Sequence, residues 1–336
     1  MALQNRYEFM YYVQCINANP NGDPDMGNAP RVDPQTMYGY ITDVATKRRI
    51  RNYIQIAYEG QPGMDIIMQQ ASNINKFIAR AHEETQSEID ASCAKGKEKT
   101  YAARRYCCDH FYDVRTFGAV LSTGANAGQV RGPVQLAFGR SVDPILVQDI
   151  SITRMCVTGG PKNGGDFEEY QAWEDEQPED QLRTWGRKQF IPFGLYEIRG
   201  FISGNLARET GFGENDLKAL CEAILNMYEH DRSASKGQMS VVSPLILFKH
   251  VGTDTDQTQR CRQALLGCAP AHKLFDLVQV RRKEEVSVPR DYRDYTAVIA
   301  LDRLPAGVQV GFQTGAFSPI VWDRLPEDES WLTDGR

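Results

Sequence analysis

Tyr7, Phe9, Tyr11, Val13 and Cys15 alternate with Met10, Tyr12 and Ile16, so residues 7–16 are apolar on both faces. A run of this kind suits a strand covered on each side, and we place a central strand there. The Asn/Pro/Gly/Asp-rich stretch 19–33 is too long for a simple turn and reads as an extended loop. Thr42 or Asp43 then caps a helix to about Tyr58, with Val44, Ile50, Tyr53, Ile54 and Ala57 as its buried stripe. Ile67, Ala71, Ile74, Ile78 and Ala81 set a second helix over about 65–84.

Residues 87–105 are polar and basic, with Lys95, Lys97, Lys99, Arg104 and Arg105. Beyond them, 134–138 alternates like a half-buried strand, and 190–202 is another. The stretch 159–189 between these two strands joins a Gly-rich run to an acidic one and reads as a mobile insertion. Leu217, Leu220, Cys221, Ile224, Leu225, Met227 and Tyr228 form the clearest amphipathic helix. Residues 241–248 make a strand in which Pro244 requires an edge or a bulge. A hairpin of 277–288 with 296–301 completes the elements. Without its insertions the order is strand, helix, strand, strand, helix, strand. That order is the split β-α-β arrangement, an α+β ferredoxin-like core used by RNA-recognition modules.

Composition narrows the chemistry. The 336 residues are 41% hydrophobic and 24% charged, ample for one elaborated domain. No run approaches the ~18 apolar residues of a membrane span. Arg6 and Glu8 interrupt the place where a signal peptide would need its apolar centre. We therefore expect a cytoplasmic protein without a membrane partner. Eight cysteines without a C-x-x-C pair read as free thiols.

The net charge of −6 conceals an uneven distribution. Eight acids and no base lie between Asp166 and Asp180, and the tail from Asp323 carries five acids and two bases. Without those two segments the body is basic, as a polyanion-binding surface requires.

Catalytic patterns are missing from the sequence. There is no G-x-G-x-x-G, Walker loop, G-x-S-x-G or H-E-x-x-H. Cys107, Cys108 and His110 are adjacent, but a zinc site needs about four ligands with recognisable spacing. Asn17, Asn19, Asn21 and Gly22 open like a calcium loop, yet its twelfth position would be Asn28 rather than Glu. We expect no metal and no cofactor.

Three segments suit a polyanion. The 19–33 loop offers Asn donors, glycines and Arg31, or else bonds to itself as an Asx/Pro loop. Lys47 and Arg51 stand four residues apart on one helix face beside Arg48, suited to successive phosphates unless that face is merely solvated. The Gly-rich run 113–133 carries Arg115, Gln129 and Arg131.

The runs N-P-N-G-D-P-D-M-G-N-A-P-R-V-D and T-D-V-A-T-K-R-R-I-R-N-Y resemble the N-terminal signature of the type I-C CRISPR Cascade backbone subunit, the Csd-type Cas-seven family. Ordered matches continue through D-V-R-T-F-G-A-V-L-S-T-G-A-N-A-G-Q-V-R-G-P-V-Q, F-G-L-Y-E-I-R-G-F-I-S, M-Y-E-H-D-R-S-A-S-K-G and A-P-A-H-K-L-F-D, to about residue 278. The resemblance implies one hand-shaped domain. Its palm is a modified RNA-recognition core of about 6–58, 113–139, 190–250 and 270–322. Its helical fingers are an insertion at about 60–112, and its protruding thumb hairpin one at about 140–189.

By this resemblance, copies stack head to tail along CRISPR RNA, beside other Cascade subunits, and leave its bases free to pair with target DNA. The subunit does not cut. The implied RNA-binding residues are Asn21, Arg31, Lys47, Arg48, Arg51, Gln129 and Arg131, with Met155 as an apolar thumb wedge. Charge complementarity adds an expectation that the acidic 166–180 stretch meets basic 95–105 of a neighbouring copy, if it is not simply solvated. Two alternatives stay open. One is a metal-dependent target-RNA endoribonuclease using Asp23, Asp25 or Asp33, as in related type III subunits. The other is a general single-stranded RNA-binding protein.

Overall fold

Strand Tyr7–Ala18 lies in the middle of a large antiparallel sheet, as its two apolar faces require. The computed structural model describes residues 1–87, 96–327 and 331–335. Across the sheet the order is Val321–Trp322, Val308–Gln313, Leu245–His250, Tyr7–Ala18, Thr184–Ile202, Gly139–Pro144 and Tyr38–Ile41. Val134–Leu136 pairs with the far end of Thr184–Ile202, from Gly200 to Ile202. Strands 245–250, 7–18, 184–202 and 134–136 thus interleave with helices Asp43–Ala57 and Glu214–His230 in the split β-α-β order. The protein is α+β.

Each face of the central strand has its own cover. Tyr7, Tyr11, Val13 and Cys15 pack with Ile50 and Ile54 of the first helix and with Leu217, Leu220 and Ile224 of helix Glu214–His230. Met10 and Tyr12 meet Phe248, Phe312, Tyr295 and Trp331 on the other side. A smaller cluster of Phe77, Ile78, Cys107 and Phe111 joins helix Ile74–Glu84 to helix Lys97–His110.

Several expectations need correction. In the first helix Val44 is exposed, and the inward face includes Thr46 and Arg49 beside Ile50, Tyr53 and Ile54. The second helix begins at Ile74, capped by Asn73, and not at 65. The amides of Ile67 and Met68 instead donate to the buried Asp113 carboxylate, at 2.9 and 3.2 Å, which holds that stretch out of a helix. The basic region contains helix Lys97–His110, while Lys95 lies outside the described residues.

The expected strand 241–248 is two strands, Gln238–Val241 and Leu245–His250, both paired to Tyr7–Ala18. The break falls before Pro244, where Ser243 Oγ takes the Tyr12 amide at 2.8 Å. Residues 159–189, expected as a mobile insertion, contain regular elements. They hold helix Phe167–Asp175, closed by an Asp166–Glu169 capping box, and the start of strand Thr184–Ile202. Gln148–Arg154 pairs with Thr184–Phe190 to make a two-stranded arm whose first strand is exposed throughout.

Candidate nucleic-acid interface

The 19–33 loop closes on itself. Gly22–Asp23 pairs with Ala29–Pro30, and Asn19 Nδ2 donates to the Asn28 carbonyl at 2.6 Å. A side chain at Gly22 would displace the Asn28 side chain, whose Oδ1 lies 2.0 Å from the Cβ position, and would sit 3.0 Å from the Asn28 carbonyl oxygen. Asp23 accepts from Arg31 Nη1 at 3.1 Å and from the Asp25 amide at 3.2 Å. Asn21 Oδ1 accepts from the Thr42 amide at 2.9 Å, tying the loop to the start of the first helix. Asn21 therefore positions the loop, and Arg31 is partly neutralised by Asp23.

The first helix distributes its cations around its axis. Lys47 and Arg51 share a face and lie over the Phe117 ring, 5.8 and 5.2 Å from its centroid. Lys47 Nζ reaches Asp43 at 3.0 Å and Gln135 at 3.4 Å. Arg51 Nε donates to Asp113 at 2.8 Å, so this arginine neutralises a fully buried carboxylate. Arg48 Nη1 donates to the Met68 carbonyl at 2.5 Å. Arg49 turns inward, its Nε on Asp231 and its Nη2 on the Pro20 carbonyl, both at 2.9 Å. Sequence reasoning passed over Arg49, which stands within the same K-R-R run.

In the 113–133 segment Arg115 is not available to a ligand. It is buried and bonds to Gly63, Cys108, Asp109 and Asp216. Gly118, at φ +79°, begins a hairpin of Gly118–Leu121 with Gly128–Arg131. A Cβ on Gly132 would lie 2.1 Å from the Phe117 carbonyl carbon, so the motif glycines serve close packing. Gln129 and Arg131 are exposed and line a cleft of about 500 Å³ with Tyr101, Arg104, Arg105 and Arg208. The sequence signal for Arg208 was absent, because it comes from helix Gly204–Thr210, far along the chain.

Met155 follows the last residue of the arm's first strand and is 67% exposed. Trp185, on the returning strand, is 74% exposed, and Ile150 and Ile152 are open on the opposite face of the arm. Trp185 is a second candidate wedge, found only once the hairpin register is known.

The family model for CRISPR-associated protein Cas7 matches residues 5–300. The chain belongs to the Cas7 family. A CRISPR-associated protein Cas7 of Haloferax volcanii is 26% identical over 242 residues, which is 66% of this chain and 63% of that relative's length. Chains in two solved structures, a CRISPR RNA-guided surveillance complex in a pre-nicking state and a CRISPR RNA-guided surveillance complex, share 12% identity with it. Their TM-scores are 0.46 and 0.41, with 81% of this chain covered in each case and 86% and 80% of theirs.

In this Cas7 family member two of the loop acids, Asp23 and Asp33, hold turns, while Asp25 is exposed. Asp23 pairs with Arg31, and the Asp33 carboxyl lies below the usual range because Thr36 and the Gln35 amide donate to it. Burial pushes the Cys107 thiol up to about 12 and the Cys108 thiol up to about 11, which keeps both protonated and poor as ligands. His110 stacks on Tyr106 and bonds to its carbonyl. Among the described residues no group of three His, Cys, Asp or Glu is placed to hold a metal ion. No helix among them is long and apolar enough to cross a membrane.

Proposed function

We propose that this Cas7 family member is a non-catalytic backbone subunit of a type I-C Cascade surveillance complex, polymerised head to tail on CRISPR RNA. Family membership is one support. The observation that carries the reading is a junction at Phe117. Lys47 and Arg51 lie over its ring, and the next residue, Gly118, pairs with Arg131. Lys47 and the Arg131 backbone thus lie at neighbouring residues of one turn, with Arg51 held on Asp113 behind them, and exposed cations at such a turn suit a backbone that carries a charge at every nucleotide.

Asn21, Arg31, Arg48 and Gln129 extend this surface along the strand. The exposed arm acts as the thumb, with Met155 and Trp185 as the apolar groups that interrupt base stacking. In this reading the palm spans about 6–58, 113–139, 190–250 and 270–322, the fingers about 60–112, and the thumb about 140–189. Sequence reading is left to base pairing of the guide with target DNA. The engagement of Asp23 and Asp33 within their own turns supports a holding role over a cutting one.

The test is to express the chain with its neighbouring genes and a CRISPR array, then sequence the RNA that co-purifies. Uniform spacer-repeat RNA is the expected result. Random fragments would favour general RNA binding, and metal-dependent cleavage of complementary RNA at regular spacing would favour the endoribonuclease.

A further inference from the structure

Strand Thr184–Ile202 belongs to two bodies. From Ile191 to Ile202 it pairs with the central strand, and from Thr184 to Phe190 it pairs with Gln148–Arg154 as the arm. Between the two the ladder lapses. Toward Tyr7–Ala18 the register passes from Phe193–Ile16 to Ile191–Ala18 and omits Pro192 opposite Asn17. Proline has no N–H to donate there, and Asn17 stands in the left-handed region at φ +47°. On the other flank Tyr196 pairs with Ser141 and Phe190 with Gln148, but no ladder pair joins 191–195 to 142–147. A second proline, Pro144, lies in that gap, at the end of strand Gly139–Pro144. Both segments that enter the arm therefore carry a proline at the boundary.

Breaks at one level of both strands concentrate bending there. The hairpin beyond them is stiff, because its strands pair without interruption from Thr184–Arg154 to Phe190–Gln148. The sheet side is firm as well. Ile145, Ile191 and Phe193 are buried, and the Ile145 amide donates to the Met37 carbonyl at 2.8 Å. Leu146, the next residue, is already exposed. At the root of the arm Lys188 Nζ donates to the Ala234 carbonyl, in the turn before strand Gln238–Val241. That bond is exposed, so water can replace it at little cost.

We propose that the arm is a hinged strap. It swings as one stiff hairpin about Pro144 and Pro192, and Lys188 latches it in the position seen here. While it is open, a nucleic-acid strand enters from the side, and closure then retains that strand. Side entry matters because a long strand held by many copies has no free end near most of them, so threading is not needed. The closing step rests on the guide-RNA reading, whereas the hinge stands on the register alone.

The test uses nitroxide labels on two exposed thiols, Cys156 in the arm and Cys261 in helix Gln257–Leu266, with Cys93→Ser and Cys268→Ser to keep the labelling clean. Double electron–electron resonance on the full chain should give a distance distribution about twice as wide as that of a control pair away from the arm. The control joins Cys261 to Lys218→Cys, at an exposed position of helix Glu214–His230, in a Cys156→Ser background. Lys188→Met should widen the arm distribution further. Pro144→Val with Pro192→Val, which restores the missing N–H donors, should narrow it toward the control, and so should added spacer-repeat RNA. A native distribution as narrow as the control's overturns the hinge and leaves the guide-RNA reading standing. A wide distribution that bound RNA does not narrow overturns the strap. If anisotropy of a labelled spacer-repeat RNA shows no binding, the guide-RNA reading and the closing step fall together, while the hinge stands on the RNA-free measurement.

Discussion

Arg115 donates to two backbone carbonyls of the preceding helix, to the Gly63 carbonyl and twice to Asp216, with its shortest bonds at 2.7 Å. Removing it strands the Asp216 carboxylate in a site it shares with the first turn of helix Glu214–His230. Arg115→Ala should therefore cost about 3–5 kcal/mol, read as a fall in the urea midpoint. Arg131→Ala, at an exposed position, should move stability by no more than about 0.5 kcal/mol. A small loss at Arg115 would refute its structural role. The two arginines look alike in the sequence, both flanking the same Gly-rich run, because Asp216 lies 101 positions from Arg115. Arg51 is ambiguous for the same reason, since its Asp113 partner is distant in sequence. What the sequence does show is the type of residue a phosphate surface needs; which of these cations are spent on buried carboxylates is settled only by the fold.

At the scale of elements, legibility follows the apolar pattern. The central strand and helix Glu214–His230 carry large side chains at regular spacing and are read directly. Helix Lys97–His110 buries only Ala103, Cys107 and Cys108, residues too small to form a visible stripe. The arm was half legible. Residues 190–202 of strand Thr184–Ile202 enter the sheet and are apolar, whereas 184–189 project from it and mix Trp185 with Arg187 and Lys188. The projecting half has its own ladder, in register from Thr184–Arg154 to Phe190–Gln148, and can be closed early. Replacing 155–183 with Asn-Gly, which suits a two-residue hairpin, should leave the thermal midpoint within about 2 °C. Ordered assembly on guide RNA, followed by size-exclusion chromatography with light scattering, should be lost. A collapsed monomer would show that 155–183 is part of the core, and normal assembly would remove that segment from the thumb role.

At the scale of the whole molecule, the strand-helix order of the split β-α-β core was legible, but the layer that covers the second face was only partly so. The Val278–Arg282/Tyr295–Ile299 hairpin was visible, while Val308–Gln313 and the packing of Trp331 on Tyr12 were not. Charge is organised on this scale as well. Glu168, Glu169, Glu174, Asp175 and Glu176 surround the exposed helix of the arm, and Arg104, Arg105, Arg131 and Arg208 line a cleft elsewhere on the same chain. A head-to-tail assembly brings two different faces of one subunit together, so opposite charges on separate faces can attract between copies. The basic partner expected at 95–105 supplies Arg104 and Arg105 to this cleft, which two further segments extend with Arg131 and Arg208. Glu174→Lys with Glu176→Lys should weaken assembly on guide RNA severalfold at 50 mM salt, with the difference shrinking toward 0.5 M as screening lengths shorten. Both residues are exposed, so the monomer's thermal midpoint should not move. Reversing Arg104 and Arg105 to Glu in the same chain should restore part of the loss, because the contact would then be complementary with its signs exchanged. Unaltered assembly of the double Lys variant at low salt would instead make the acidic helix a solvated surface.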